Sequence, residues 1–319
     1  MTRFIDPAVQ QLLNIWETSG RKPLELLPLE QARAESSAGA ILMGATPPDV
    51  DAKDFDIDTP QGQLSVRVYR PRGHEQTAAL PALLFLHGGG FVVGSIETHD
   101  GYCRHLTAAL DACVLSLNYR LAPEHKFPAA AVDAKEAAKW MLREANALRV
   151  DPQRFAVGGD SAGGCLAAGL ALQQGQDGIP NWQLQVLIYP LVDWSQQRDS
   201  HIRNGQGLLL TETAIQYFRD LYLRSSADEK DWLASPLLAP DHANAPPAFV
   251  LIAELDPLHD EGFAYSQCLR SAGVTVQLRE VPGMVHGFIT MTKLIPAALE
   301  CTMEIAAALR KAWNSPLAS

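Results

Sequence analysis

Residues 155–173 read Phe-Ala-Val-Gly-Gly-Asp-Ser-Ala-Gly-Gly-Cys-Leu-Ala-Ala-Gly-Leu-Ala-Leu-Gln. The first three are a short apolar run suited to a buried strand, and Ala162–Gln173 is a run of small and apolar residues suited to a closely packed helix. Between them Gly159-Asp160-Ser161-Ala162-Gly163 fits the pattern G-x-S-x-G. A serine on a tight strand-to-helix turn projects its hydroxyl outward. Bulky flanking side chains would clash in such a turn, which is why the flanks are glycine. The turn also places Ser161 at a helix N-terminus, where backbone N–H groups stabilise developing negative charge. At ordinary glycine and serine frequencies about one random chain in ten of this length would carry the five-residue pattern, so the bare match decides little. A strand directly before it and a helix directly after it supply the context the chemistry requires. Ser161 is therefore a candidate nucleophile rather than a surface serine in a glycine-rich turn.

Outward from this turn, strands and helices alternate. Upstream, Leu64, Val66 and Val68 alternate with polar residues from Gly62 onward, as in a half-buried strand, and Pro81–Leu86 is an apolar run ending at His87-Gly88-Gly89-Gly90. Ala112–Tyr119 is a second run, followed by the long helical stretch Ala129–Leu148. Downstream, Leu184–Ile188 reads as a strand ended by Tyr189-Pro190; Ala248–Ala253 and Val274–Val281 complete the set, each followed by helical sequence. Buried strands alternating with helices predict an α/β fold with a mainly parallel sheet covered on both faces. Ligands of such sheets sit at the carboxyl ends of the strands, so the residues directly after each strand are the candidates for chemistry.

Two segments stand outside this alternation. Asp6, Pro7 and the one-faced Val9, Leu12, Leu13 and Trp16 predict an N-terminal helix, and a polar, proline-containing stretch follows it to about Pro48. Between about Asp193 and Leu233 no strand is expected. Ala214, Ile215, Phe218, Leu221 and Tyr222 instead recur at helical spacing behind caps at Thr211 or Thr213. The two segments are expected to pack together, so that residues 1–50 and 194–233 form a helical cap over a core of residues 51–193 and 234–319.

The glycines after the Pro81–Leu86 run suggest an oxyanion hole. Cleaving an acyl bond creates an oxyanion, and fixed backbone N–H groups stabilise it well. Gly89 and Gly90 together with Ala162 are the favoured donors, with Gly88 as the near alternative, and His87 is a loop-shaping residue. The order of a triad in such a fold is serine, acid, histidine, which prunes the nine histidines to His259 and His286. Asp256 follows one late strand and His286 the next, so they come from separate loops. Glu254 and Asp260 compete with Asp256 as the acid, whereas His259 lies too close to Asp256 in sequence to serve as its base.

The whole-chain properties agree. With 319 residues, 47% hydrophobic and 19% charged, the chain can bury a sizeable core. A formal net charge of −10 repels phosphate backbones and anionic lipid surfaces, so nucleic acid is an improbable partner. Five scattered cysteines with no C-x-x-C pair argue against a zinc knuckle or disulfide framework and for reduced thiols in the cytoplasm. The first residues lack the unbroken apolar run of a signal peptide, and no stretch is long and apolar enough to span a bilayer.

Taken together, these residues resemble the hormone-sensitive-lipase-like branch of the α/β-hydrolases, in its bacterial esterase form. The resemblance rests on His87-Gly88-Gly89-Gly90-Phe91, Tyr119-Arg120-Leu121-Ala122-Pro123-Glu124, Gly159–Gly164, Tyr189-Pro190, Asp256–Gly262 and His286-Gly287-Phe288. It implies an eight-stranded core, a helical cap, and hydrolysis of short- to medium-chain acyl esters by a Ser161-His286-Asp256 triad. It implies no metal and no organic cofactor. Dimers are common in that family, so a homodimer is among the expectations. An amide or formamide hydrolase would use the same triad. A non-catalytic small-molecule-binding protein on the same fold is the third reading, disfavoured by the presence of all three triad residues.

Overall fold

The apolar runs fold as strands because both of their faces find cover. A computed structural model describes residues 3–74 and 79–314. Among these, eight strands form one sheet: β1 (Asp51–Thr59), β2 (Gly62–Arg70), β3 (Leu80–Leu86), β4 (Cys113–Asn118), β5 (Val150–Asp160), β6 (Gln185–Ile188), β7 (Ala248–Leu255) and β8 (Val276–Val285). The sheet order is β1-β2-β4-β3-β5-β6-β7-β8. Only β2 runs against the rest, pairing antiparallel with β1 and β4, while all neighbours from β4 to β8 pair parallel. The helices are α1 (Pro7–Thr18), α2 (Leu29–Met43), α3 (Ile96–Leu110), α4 (Ala129–Arg143), α5 (Ala162–Leu172), α6 (Asp199–Asn204), α7 (Glu212–Tyr222), α8 (His259–Ser271) and α9 (Pro296–Trp313).

The period of two along a strand divides its side chains between two cores. On β3, Ala82, Leu84 and Leu86 join residues of α4, α5 and α8, whereas Leu83 and Phe85 join residues of α3 and α9. On β7, Val250 and Ile252 take the first side and Phe249 and Leu251 the second. Full burial of one such side chain is worth about 2 kcal/mol, so a polar residue on either face would be strongly penalised. On β2 one face, Leu64, Val66 and Val68, is buried and Ser65 and Arg67 are only partly covered, which produces the clean alternation seen in the sequence.

Two elements have too little hydrophobic pattern to be read ahead of the structure. β1 is the sheet edge; of its nine residues only Ile57 is buried, and its aspartates suit an edge that must not pair further. α2 buries only Ala32 and Gly39. α3, by contrast, buries Ile96, Tyr102, Cys103, Leu106 and Leu110 on one face, and its start is fixed by a reciprocal Ser95–Thr98 capping box. β8 also runs further than the apolar run suggested. Its register shifts between the pairs Ala253–Val281 and Leu255–Val285, so the strand continues through Pro282-Gly283-Met284 and delivers His286 directly from its end.

The two helix caps expected from the sequence are in place. Asp6 caps α1 by accepting from the Ala8 N–H at 2.8 Å, and Thr211 caps α7 by accepting from the Ala214 N–H at 3.1 Å. No strand lies between residues 193 and 233, all of which are described. Val9 and Leu12 of α1 belong to the same packed cluster as Leu208 and Leu209. Cys103, Cys113, Cys165 and Cys301 are buried, Cys268 is half-buried, and all five are free thiols. Among the described residues no helix is long and apolar enough to cross a membrane.

Candidate active site

Ser161 stands between β5 and α5 with φ 55° and ψ −119°, a left-handed backbone that a residue with a Cβ adopts only when its surroundings enforce it. The Ser161 N–H donates to Ile188 O at 2.9 Å, and the Ser161 carbonyl accepts from Leu191 N–H at 3.2 Å. These bonds tie both sides of the turn to β6 and the chain after it. The flanking glycines are needed for room. A Cβ on Gly163 would stand 1.9 Å from the Leu86 carbonyl oxygen, and one on Gly159 would stand 2.4 Å from Gly163 O. α5 can therefore lie against the end of β3 only without side chains at those points.

The structure brings the three distant residues together. The Ser161 hydroxyl lies 2.8 Å from His286 Nε2. His286 Nδ1 donates to Asp256 Oδ2 at 2.7 Å, since an ionised carboxylate can only accept. That bond fixes the tautomer and leaves the Nε2 lone pair for the serine proton. Asp256 is fully buried, and its other oxygen accepts from the Leu258 N–H at 2.8 Å. The Tyr189 ring packs against the imidazole at 4.6 Å between centroids.

The competing residues are engaged elsewhere. Glu254 Oε2 accepts from the Gly283 N–H at 2.7 Å, bolting the acid loop to the bulged end of β8. Asp260 takes the Ser200 N–H at 2.9 Å and Arg203 Nη2 at 3.1 Å. His259 lies between Asp260 at 2.8 Å and Glu280 at 3.2 Å, at the start of α8. One supporting residue was not foreseen. From α6, the buried Asn204 side-chain amide donates to the carbonyls of Glu254 at 3.0 Å and Asp256 at 2.8 Å. A turn earlier, Ser200 Oγ donates to Pro257 O at 2.5 Å. Two small polar residues four apart are the only trace of this clamp in the sequence.

The glycine loop requires one correction. The Gly88 N–H donates to Asp160 Oδ1 at 2.9 Å, which removes Gly88 from the donor set expected around an oxyanion. Among the described residues no acceptor pairs with the N–H groups of Gly89, Gly90 or Ala162. Asp160 is buried and also faces His99 Nε2 at 3.2 Å. Burial pushes its carboxyl up, but the His99 ring and the Gly88 N–H outweigh that and hold it below the ordinary carboxylate range. The sequence marks neither Asp160 nor His99; position directly before the nucleophile is the one hint for Asp160.

His87 shapes the loop, as its sequence context suggested. It is fully buried, its Nδ1 donates to Gly88 O at 2.8 Å, and its ring stacks on Tyr119 at 4.2 Å. The Tyr119 hydroxyl in turn donates to His87 O at 2.7 Å. Burial pushes the His87 imidazole down to about 3, so it stays neutral.

Two cavities meet at His286. One, of about 250 Å³, holds Ser161 and the glycine loop and is walled by Leu191, Trp194, Ile215 and Leu258. The other, of about 260 Å³, lies among α1, α2 and the 208–218 segment and is lined by Leu12, Trp16, Leu24, Leu208 and Leu209. Leu24, Ser36, Met43, Leu210, Phe218 and Met291 border both.

Residues 83–290 match the family model described as alpha/beta hydrolase fold. The chain belongs to the hormone-sensitive-lipase-like α/β-hydrolases. This α/β-hydrolase is 40% identical over 308 residues to an ethyl acetate hydrolase of Pseudomonas putida, covering 95% of this chain and 97% of that protein. It is 37% identical over 255 residues to a carboxylesterase of Mycobacterium tuberculosis, covering 79% of each. A solved hyperthermophilic esterase from the archaeon Pyrobaculum calidifontis superimposes with a TM-score of 0.91 at 36% identity, covering 96% of this chain and 98% of that one. Together with the Ser161-His286-Asp256 geometry, these likenesses make this α/β-hydrolase a carboxylesterase.

Proposed function

We propose that this carboxylesterase hydrolyses short- to medium-chain acyl esters, with Ser161 as nucleophile, His286 as general base and acid, and Asp256 as the carboxylate that orients it. The observation that carries this reading is the unbroken line from Asp256 Oδ2 through His286 to Ser161 Oγ, with steps of 2.7 and 2.8 Å. Ser161 Oγ attacks the ester carbonyl carbon while His286 Nε2 takes its proton. The carbonyl oxygen becomes an oxyanion, held by the N–H groups of Gly89, Gly90 and Ala162. Collapse expels the alcohol, which leaves with the proton from His286, and Ser161 is acylated. Water then attacks the acyl group, giving its proton to His286. The second collapse returns that proton to Ser161 Oγ as the acid leaves. No step calls for a metal or an organic cofactor.

The mainly apolar walls of both cavities suit an uncharged acyl or alcohol group, although Arg21, Lys22, Glu25 and Glu35 also line the second, and the small cavity beside Ser161 supports short to medium chains. Residues 1–50 and 194–233 act in this reading as a helical cap over a core of 51–193 and 234–319, because α1, α2 and the 208–218 segment line the space above the serine. The enzyme is further read as cytoplasmic, on its five free thiols, and as acting on small molecules rather than nucleic acid, on its net charge of −10; the family resemblance adds a homodimer to the expectations. The test is hydrolysis of p-nitrophenyl esters from acetate to palmitate. The expected result is a peak at short or medium chains, with Ser161→Ala lowering kcat on the order of 10⁵-fold or more. A folded protein with no turnover on any ester would overturn the proposal.

A further inference from the structure

Phe218 occupies a position unlike any other residue bordering the two cavities. Its ring sits directly on Gly90: a Cβ built there would stand 2.4 Å from Phe218 Cγ and 2.6 and 2.7 Å from Cδ1 and Cδ2. The third glycine of the loop thus leaves a seat for an aromatic ring from α7. Leu24, Ser36, Met43, Leu210 and Met291 also border both cavities, but Ser36 is too short to close an opening and the others are flexible aliphatic chains that repack around a ligand. A phenyl ring has only two side-chain torsions. This one touches the Gly90 backbone and the Tyr217 ring, which meets it edge-on at 5.6 Å between centroids. His286 borders both cavities too, so the reaction centre opens toward each of them.

We propose that Phe218 is a specificity-determining partition, which ends the cavity holding Ser161 and keeps an acyl chain bound there from running on into the neighbouring cavity under α1 and α2. The proposal rests on the ester-hydrolase reading above and adds the residue that sets chain length. With the ring in place, the acyl chain has about 250 Å³ beside the serine. With the ring removed, the space continues into the second, mainly apolar cavity of about 260 Å³. Longer chains then gain apolar contact, while acetate, too short to reach the partition, gains none.

The test is kcat/KM for p-nitrophenyl acetate, butyrate, hexanoate, octanoate and decanoate, measured on the full chain. Wild type is compared with Phe218→Ala, Phe218→Leu and Phe218→Trp. Because even one methylene's worth of apolar contact shifts discrimination by about ten-fold, Phe218→Ala is expected to raise the decanoate-to-acetate ratio by at least that factor. Phe218→Leu should give a smaller rise, and Phe218→Trp should lower the ratio. Should Phe218→Ala fail to fold, the opposed shifts of the Leu and Trp variants carry the test. Profiles that coincide with wild type, or that move in the same direction for Leu and Trp, overturn the partition. A wild-type protein inactive on every ester overturns the reading beneath it instead, so the two failures are distinguishable.

Discussion

Below Ser161, at the carboxyl ends of β3, β5, β7 and β8, positions are dictated by contacts that leave no slack. Gly163 has no room for a Cβ against Leu86 O, and Asp256 is buried with both oxygens engaged. Above Ser161 the surroundings are of another kind. α1, α2 and the 208–218 segment offer Trp16, Leu24, Met43 and Leu208, side chains that touch the cavity without directed bonds. Many apolar residues could fill that space. The lower side holds reacting atoms to within fractions of an ångström, as catalysis demands. The upper side needs only shape and an absence of water. Substitutions below should therefore act on kcat, and substitutions above on KM and chain length.

The largest effects test the lower side. His286→Ala is expected to lower kcat on the order of 10⁵-fold or more and Asp256→Asn about 10⁴-fold, with KM and melting temperature close to wild type. Steady-state kinetics on p-nitrophenyl butyrate with a thermal melt would check this. A loss of that size from a variant on the upper side would break the division.

A second consequence concerns the rigidity beneath the glycine loop. His87 is buried as a neutral imidazole, its pKa pushed down from 6.5 to about 3. As pH falls between those values, the unfolded chain takes up a proton that the folded chain refuses. The stability this group contributes is thus complete above pH 6.5 and is lost progressively toward about pH 3. Urea midpoints across that range should fall more steeply for wild type than for His87→Asn. Parallel slopes would mean that the imidazole is not held neutral.

The smallest expected effect lies above the serine. Trp16→Ala removes a half-buried ring from the second cavity. It should raise KM for esters of bulky alcohols by about ten-fold and leave kcat on methyl esters near wild type. A fall in kcat with unchanged KM would place Trp16 among the groups that hold the reacting atoms.

How much of this was legible in the sequence follows the same division. Where backbone must touch backbone, only glycine fits, so Gly159, Gly163 and the glycines after β3 announce their role. Asp256 and His286 were legible because each follows its own strand and the order serine, acid, histidine excludes most rivals. The use of each glycine was not legible. Nothing in His87-Gly88-Gly89-Gly90 reveals that Asp160, seventy-two residues away, takes the Gly88 N–H. Asn204 was hidden because a six-residue helix carries no hydrophobic period, and its partners are carbonyls, which leave no mark on side-chain identity. β1 and α2 escaped because elements that bury one or two residues carry almost no pattern.

At the centre of the account, Ser161 Oγ is the nucleophile that donates the electron pair. That role is tested most directly by reacting the protein with diethyl p-nitrophenyl phosphate. An activated serine oxygen would bond to phosphorus and expel p-nitrophenolate. The expected result is one equivalent of p-nitrophenolate released per chain, loss of esterase activity, and a diethylphosphoryl mass increment on the peptide containing Ser161. Ser161→Ala should show none of these. Stoichiometric labelling at any other residue, or equal labelling of the Ser161→Ala variant, would contradict the assignment.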